Sequence, residues 1–127
     1  MLEEIEQRGK PAITLPDAPA DELGITDDVE GAGAEVAPGA TVTVHYVGVG
    51  QASGKQFDAS WDRGEPISFG LHQVIAGWGE GLVGMKEGGR RTLVIPGHLA
   101  YGSRPPTPAI GPNETLVFTV DLVAIEG

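Results

Sequence analysis

The sequence predicts an α+β fold in which a curved antiparallel sheet of about five strands wraps over one short helix. Several segments alternate apolar and polar residues, as strands with one buried face do. Only one segment has the spacing of a packed helix, so few parallel crossover connections are available. Twenty glycines and ten prolines among 127 residues favour turns and short strands, and this length fits one domain.

The predicted strands are rich in β-branched residues and are bounded by glycine and proline. The clearest strand reads TVTVHYVGV, and the last strand places Leu116, Phe118, Val120 and Leu122 on one face. Between these two segments, a proline-rich stretch at 102–113 is expected to form a loop, because proline cannot join a sheet interior. The predicted strands are 23–29, 41–49, 67–69, 89–95 and 115–125, with an extended piece over 55–59.

One segment, 73–82, has helical periodicity. Val74, Trp78 and Leu82 recur every fourth residue and would lie on one helix face. Three glycines within the segment lower its intrinsic helix propensity. We therefore expect packing against the sheet, rather than local preference, to hold this helix in place.

Residues 1–21 differ in composition from the rest of the chain. They are charged, contain three prolines and have few large apolar side chains. We expect an acidic N-terminal extension that is flexible or laid on the surface, preceding a domain at 22–127. A short helix over 2–8 would be too brief to be stable alone.

The formal net charge of −10 excludes some partners. The first thirty residues carry nine acids and two bases, a net charge of −7, and the remainder carries nine acids and six bases, a net charge of −3. Such a surface repels phosphate backbones, so we expect no nucleic-acid binding. No apolar run approaches the length of a membrane span, and the N-terminus does not resemble a secretory signal, so we expect a cytoplasmic protein without membrane contact.

The common catalytic groups are poorly represented. The chain has no cysteine, and His45, His72 and His98 are far apart in sequence, without the spacing of metal ligands. No serine lies in a nucleophile elbow. The stretch 79–84 formally matches G-x-G-x-x-G, but it lies within and after a short helix instead of opening a long one, so nucleotide binding is not expected. We predict neither a metal nor a cofactor.

Aromatic residues scattered among the turns are the informative feature. They could simply fill a small core, or they could line an apolar pocket whose rim includes Asp58, Asp62 and Arg63. The residues alone leave the ligand of such a pocket open. The aromatic residues concerned are Tyr46, Phe57, Phe69, Trp78, Tyr101 and Phe118.

Six motifs, taken in order along the chain, resemble those of the FKBP family of peptidyl-prolyl cis/trans isomerases, the immunophilins that bind tacrolimus and rapamycin. The similarity is unbroken from about Glu22 to the end of the chain. The motifs are VHYVG (44–48), GKQFDAS (54–60), VIAGW with EGL (74–78 and 80–82), MKEGGRR (85–91), IP with AYG (95–96 and 100–102), and IGPN with TLVFTVDL (110–113 and 115–122).

The resemblance implies an isomerase domain over 22–127 that acts on X–Pro bonds of peptides and unfolded proteins. It implies a monomer that needs no cofactor and that binds macrolides of the tacrolimus and rapamycin type. Trp78 would form the floor of a proline pocket. The implied walls are Tyr46, Phe57, Val74, Ile75 and Phe118, with Leu99 and Ile110 near the rim.

The resemblance also implies the polar groups of the site. The Tyr101 hydroxyl and the Ile75 backbone N–H would donate to a substrate carbonyl. Asp58 would lie beside the reacting imide, held by Tyr46 and Arg63. The implied catalytic residues are Asp58, Tyr101, Tyr46 and Phe118.

The sequence departs from the family pattern at three places. Ile67 replaces an aromatic wall residue found in many members, the stretch 69–74 is about two residues shorter, and the loop 103–109 contains unusual prolines. These departures affect the expected substrate preference and drug affinity. They also keep open an alternative function, a module of the same fold that binds proline-containing partners but isomerises them slowly.

Overall fold

The computed structural model describes residues 1–126 and shows six strands and three α-helices. The helices are short, and within residues 1–126 no helix has the length and hydropathy of a membrane-spanning segment. The strands are β1 (Gly24–Val29), β2 (Thr41–Gly50), β3 (Gln56–Ala59), β4 (Ile67–Gly70), β5 (Arg90–Ile95) and β6 (Leu116–Ile125). The α-helices are α1 (Leu2–Arg8), α2 (Ser60–Arg63) and α3 (Ala76–Gly81), and Gly97–Leu99 forms a 3₁₀ turn.

All strand pairs in the sheet are antiparallel, and the order is β1-β5-β6-β2-β3. The short strand β4 also pairs with β2, along Thr41–Val44, while β3 pairs farther along the same strand. The predicted α+β class and curved antiparallel sheet are confirmed. The expected number of about five strands becomes six, because the piece at 55–59 forms a ladder with β2 and is a strand.

One face of the sheet carries the hydrophobic core. Along β2, Val42, Val44 and Tyr46 are buried in the hydrophobic core, as strand alternation requires. The predicted apolar face of β6 is also in this core, with all four residues buried. Thr43 and His45 point to the opposite face. The core therefore lies on the face of the sheet that is covered by α3.

The helix α3 packs very closely against β5. A Cβ atom added to Gly77 would lie 2.4 Å from Cγ2 of Ile95, and one added to Gly81 would lie 2.8 Å from Cδ2 of Leu93. Arg91 holds the end of this helix, since its Nη1 donates to the carbonyl oxygens of Gly81 and Val83. The glycines that weaken the helix in isolation thus permit its contact with the sheet.

The boundaries of α3 differ from the predicted range of 73–82. The structure places a turn before it, closed by the Gln73 N–H donating to the Gly70 carbonyl at 2.9 Å. Val74 and Ile75 therefore precede the helix, which begins at Ala76. No sequence pattern indicated α2, a single turn after β3.

The N-terminal segment lies along the outer face of the sheet. Helix α1 forms over Leu2–Arg8, and the side chain of Ile5 is fully buried. Farther along, the Pro16 carbonyl accepts a hydrogen bond from Gln51 at 3.1 Å, and the Ala20 N–H donates to Thr115 at 3.0 Å. Tertiary contacts thus stabilise a helix too short to be stable alone. The division of the chain at residue 22 stays a prediction.

We predict that Gly77→Ala lowers the free energy of unfolding by about 1–3 kcal/mol, because the added methyl group overpacks the contact with Ile95. The cost of overpacking is larger than the gain in helix propensity from glycine to alanine, which is about 1 kcal/mol. The reason is that the Ile95 side chain is buried and β-branched, so it has little freedom to move aside. Urea unfolding measures the change. Gly24→Ala is the control, because its Cβ would lie 3.5 Å from the nearest atom, an ordinary contact. Equal stability of the two variants would contradict this packing.

Candidate functional site

A cleft of about 710 Å³ opens where α3 meets the sheet. Its lining combines aromatic and aliphatic side chains with a few polar groups, the composition usual for a small-molecule or peptide site. The strands β2, β3, β4 and β6 and the N-terminal end of α3 contribute most of these residues. The lining residues are Tyr46, Phe57, Asp58, Arg63, Ile67, Phe69, Gln73, Val74, Ile75, Trp78, Tyr101 and Phe118.

Trp78 lies at the centre of the aromatic lining. Its side chain is buried, and its ring meets those of Tyr46, Phe69 and Phe118 edge to face. The centroid distances are 5.4, 5.3 and 5.4 Å, with interplanar angles of 87°, 80° and 88°. Such T-shaped pairs are a favoured aromatic geometry. The indole is therefore fixed in orientation by three neighbouring rings.

Phe57 and Phe118 form a second aromatic pair, with centroids 5.5 Å apart and an interplanar angle of 87°. Both rings lie over Gly48 of β2. A Cβ atom at this glycine would be 2.7 Å from a ring carbon of each phenylalanine. The absence of a side chain at position 48 is what allows the two rings to approach the strand.

The polar side of the cleft is a three-residue network. The Tyr46 hydroxyl donates a hydrogen bond to Oδ2 of Asp58. Nη1 of Arg63 donates to Oδ1 of Asp58 at 2.6 Å, and Nη2 of Arg63 donates to the Tyr46 hydroxyl at 3.1 Å. The Ala59 N–H also donates to Oδ1 of Asp58 at 2.9 Å. Both carboxylate oxygens of Asp58 are thus held in place.

This network sets the protonation states. Burial raises the pKa of Tyr46 to about 12, and the hydrogen bond to Asp58 acts in the same direction. Desolvation alone would raise the pKa of Asp58, but hydrogen bonds from Tyr46 and Arg63 outweigh it and bring that pKa below its usual value. Burial, and then the charge of Asp58, raises the pKa of Tyr101. At neutral pH, Asp58 is ionised and both tyrosines keep their protons.

Two further donors lie at the cleft. Tyr101 is 36% exposed, so its side chain is open to an incoming ligand. Ile75 is the residue before α3, and its N–H donates to no backbone carbonyl within residues 1–126. Amides at a helix start lack intrahelical partners. Both groups could donate to a bound carbonyl oxygen.

Ten of the twelve side chains that the sequence singled out line the cleft. Leu99 and Ile110 do not: Ile110 is buried in the hydrophobic core, and Leu99 packs against that core. Phe69 and Gln73 line the cleft without having been assigned to the site. Phe69 was among the aromatic residues considered, and its position in the same strand as Ile67, two residues away, could have identified it.

A histidine, a serine and a glutamate meet outside the cleft. Nδ1 of His45 is 2.8 Å from Oγ of Ser60, and Nε2 of His45 is 3.4 Å from Oε2 of Glu6. Ser60 is fully buried and its Oγ is bonded to the backbone of Tyr46, so no substrate can reach it. These contacts are structural. No group of three or more potential metal ligands occurs in the part of the chain that the structure describes.

The chain is similar to known proteins over most of its length. Residues 33–123 match the family described as FKBP-type peptidyl-prolyl cis-trans isomerase. The chain is 53% identical to the FK506-binding protein of Streptomyces anulatus, with 91% of this chain and 97% of the relative covered. It is 51% identical to the probable FK506-binding protein of Corynebacterium glutamicum, with 91% and 98% covered.

A solved structure has the same fold. It is a peptidyl-prolyl cis-trans isomerase from Pseudomonas syringae pv. tomato, 33% identical, with a TM-score of 0.76 and with 97% of this chain and 87% of that chain covered. The motifs, the fold and the relatives agree. The chain belongs to the FKBP-type peptidyl-prolyl cis-trans isomerases.

Proposed function

We propose that the chain accelerates X–Pro rotation by binding the proline ring in the aromatic cleft above Trp78, without forming a covalent adduct. The observation that carries this proposal is the indole of Trp78, which is fixed by three rings in the wall of an open cleft. An apolar, ring-lined cleft of this size suits a proline side chain with its flanking residues.

The physical basis is the electronic change during rotation. Twisting the X–Pro bond breaks amide conjugation and takes tens to hundreds of seconds unaided. The twisted imide has lost C–N double-bond character, so its carbonyl is less polar than that of the planar ground state. A water-poor cleft therefore disfavours the planar form more than the twisted form. Bringing the step to milliseconds needs about four decades, or about 5.5 kcal/mol.

The polar groups orient the substrate in this proposal. The Tyr101 hydroxyl and the Ile75 N–H donate to substrate carbonyl oxygens, and Asp58 lies beside the rotating imide. Asp58 can do so as a carboxylate because Arg63 and Tyr46 bind both of its oxygens. Holding the proline ring while the preceding residue rotates contributes orientation. The mechanism requires no proton transfer.

Slow isomerisation combined with binding is the second candidate function. One observation favours it: Ile67, a side chain of the cleft wall, offers no ring there. A cleft wall with fewer aromatic rings makes fewer ring contacts with the proline. The two functions differ in turnover on a short X–Pro peptide and on a protein whose refolding is limited by proline isomerisation. Tight peptide binding with no acceleration of either process would establish the second.

The proposal extends to partners and location. Unfolded proteins and proline-containing peptides are the proposed substrates, and macrolides of the tacrolimus and rapamycin type are proposed ligands of the same cleft. The names of the relatives as FK506-binding proteins support the macrolide part. A monomeric state and a cytoplasmic location stay predictions, which sedimentation and cell fractionation would test.

We predict that Trp78→Ala lowers kcat/KM on an X–Pro peptide by about tenfold to a hundredfold, because the proline ring loses its main contact surface. A protease-coupled isomerase assay measures this change, and titration with rapamycin measures the accompanying loss of affinity. Leu82→Ala is the matched control, since Leu82 is a buried residue that follows the same helix but does not line the cleft. Full activity of Trp78→Ala would contradict the proposed pocket.

Asp58→Ala should lower kcat more than it raises KM, by about tenfold in kcat, because Asp58 contributes to the rotating state more than to ground-state binding. Phe118→Ala should instead mainly raise KM, since the ring contributes contact area. Steady-state kinetics over a range of peptide concentrations separate the two effects. A rise mainly in KM for Asp58→Ala, together with a fall mainly in kcat for Phe118→Ala, would contradict the roles given to these residues.

The pH profile of kcat/KM should be flat from about pH 5 to about pH 9. The pKa of Asp58 in the folded protein lies below the ordinary pKa of an aspartate. Asp58 is therefore fully ionised above that ordinary pKa, and its charge is lost only as the pH falls through the lowered pKa. Arg63→Ala removes a group that lowers this pKa, so the acid limb should move to higher pH. Lys55→Ala, which removes an equal charge elsewhere, should leave the limb unchanged. An unmoved limb in Arg63→Ala would contradict the role of Asp58.

A further inference from the structure

The one-turn helix α2 links the cleft to the outer face of the sheet. It comes directly after β3, and its last residue, Arg63, binds Asp58 and Tyr46 in the cleft. A helix of four residues cannot be stable alone, so its position depends on contacts around it. The position of Arg63 therefore depends on whatever holds α2.

The first residue of α2 is fixed from β2. Oγ of Ser60 accepts a hydrogen bond from the Tyr46 N–H at 2.7 Å and lies 2.8 Å from Nδ1 of His45. Both partners lie in β2, next to each other. The N-terminal end of α2 is thus attached to the strand that provides Tyr46 to the cleft.

The rest of α2 is held by β2, by Gln56, whose Nε2 donates to Oδ2 of Asp62 at 2.7 Å, and by the N-terminal segment. The Trp61 ring stacks on His45, with centroids 4.3 Å apart and an interplanar angle of 18°. Nε2 of His45 lies 3.4 Å from Oε2 of Glu6 in α1. Nζ of Lys10 binds Oδ1 of Asp62 at 2.8 Å. Residues 6 and 10 thus contact α2 directly or through one side chain.

The N-terminal segment is itself anchored firmly. Ile5 is fully buried, and Arg8 donates to the Gly88 carbonyl at 2.6 Å and to Asp121 at 3.3 Å. Oδ1 of the fully buried Asp121 also accepts a hydrogen bond from Nε of Arg90 at 2.8 Å, and Nη2 of Arg90 donates to the Gly9 carbonyl at 2.9 Å, so a second arginine attaches the segment to the same carboxylate. The segment can therefore resist movement of α2 instead of following it.

We propose that residues 1–10 are a positioning element of the isomerase site, acting through α2 to hold Arg63 against Asp58 and Tyr46. Glu6 and Lys10 are the positioning residues, and neither touches the cleft. This role rests on the proposed function of the cleft. Loss of the contacts between residues 1–10 and α2 would loosen the network that keeps Asp58 ionised and oriented, while leaving the proline-binding rings in place.

The test compares two double variants of the full chain that remove the same residue types. Glu6→Ala with Lys10→Ala removes both contacts. Glu3→Ala with Lys86→Ala is the control, because both residues are exposed and their side chains form no hydrogen bond or ion pair within residues 1–126. Glu6→Gln with Lys10→Arg keeps the hydrogen-bonding groups and should behave as the unmodified protein.

The decisive readout is the titration of Asp58, followed by the NMR shift of its carboxyl carbon. In Glu6→Ala/Lys10→Ala we expect the pKa of Asp58 to rise towards its ordinary value and kcat/KM to fall about threefold to tenfold with little change in KM. Urea unfolding of the same variants excludes a general loss of fold. A titration of Asp58 identical to that of the unmodified protein, or an equal shift in the control, would overturn the proposal.

The proposed function and the positioning role fail in different ways. If the unmodified protein does not accelerate X–Pro rotation, the proposed function is wrong, yet the titration of Asp58 still decides whether residues 1–10 hold the network. If the unmodified protein is active and the titration does not move, only the positioning role is overturned.

Discussion

The close contact between α3 and strand β5 makes the cleft possible. Gly77 and Gly81 lie against Ile95 and Leu93 at distances that leave no room for a Cβ atom. Because the helix lies so near the strands, the indole of Trp78 reaches the rings provided by β2 and β6. A helix standing even one methyl group farther away would separate the floor of the cleft from its walls.

Strand β2 connects the two faces of the molecule. Its alternation directs Tyr46 into the cleft and His45 to the outer face, so neighbouring residues serve the site and its support. Ser60 binds both residues at once, through the Tyr46 amide and the His45 ring. The acidic N-terminal segment contacts this same point from outside. A segment that composition alone marks as an extension is therefore adjacent to groups that hold Arg63.

The charges in the cleft are arranged to remain fixed near neutral pH. Desolvation opposes the ionised form of Asp58, and the hydrogen bonds from Tyr46 and Arg63 overcome this effect. The hydroxyl of Tyr46, with a pKa of about 12, remains a donor throughout the physiological range. The proposed mechanism needs no proton transfer, so it would operate unchanged over the pH range in which these protonation states are constant.

The α+β class and the strands were predictable from the alternation of residues, and the resemblance of the ordered motifs to the FKBP family implied most of the residues that line the cleft, because periodicity and motifs are local features of the chain. Long-range contacts were needed to show that Gln56–Ala59 is a sixth strand, that α3 begins at Ala76, that Phe69 and Gln73 line the cleft while Leu99 and Ile110 do not, and that α1 and α2 form at all. The physical reason is that short helices and short strands gain too little from their own residues. They form where distant parts of the chain, such as Ile5 and the outer face of the sheet, bury or bond them.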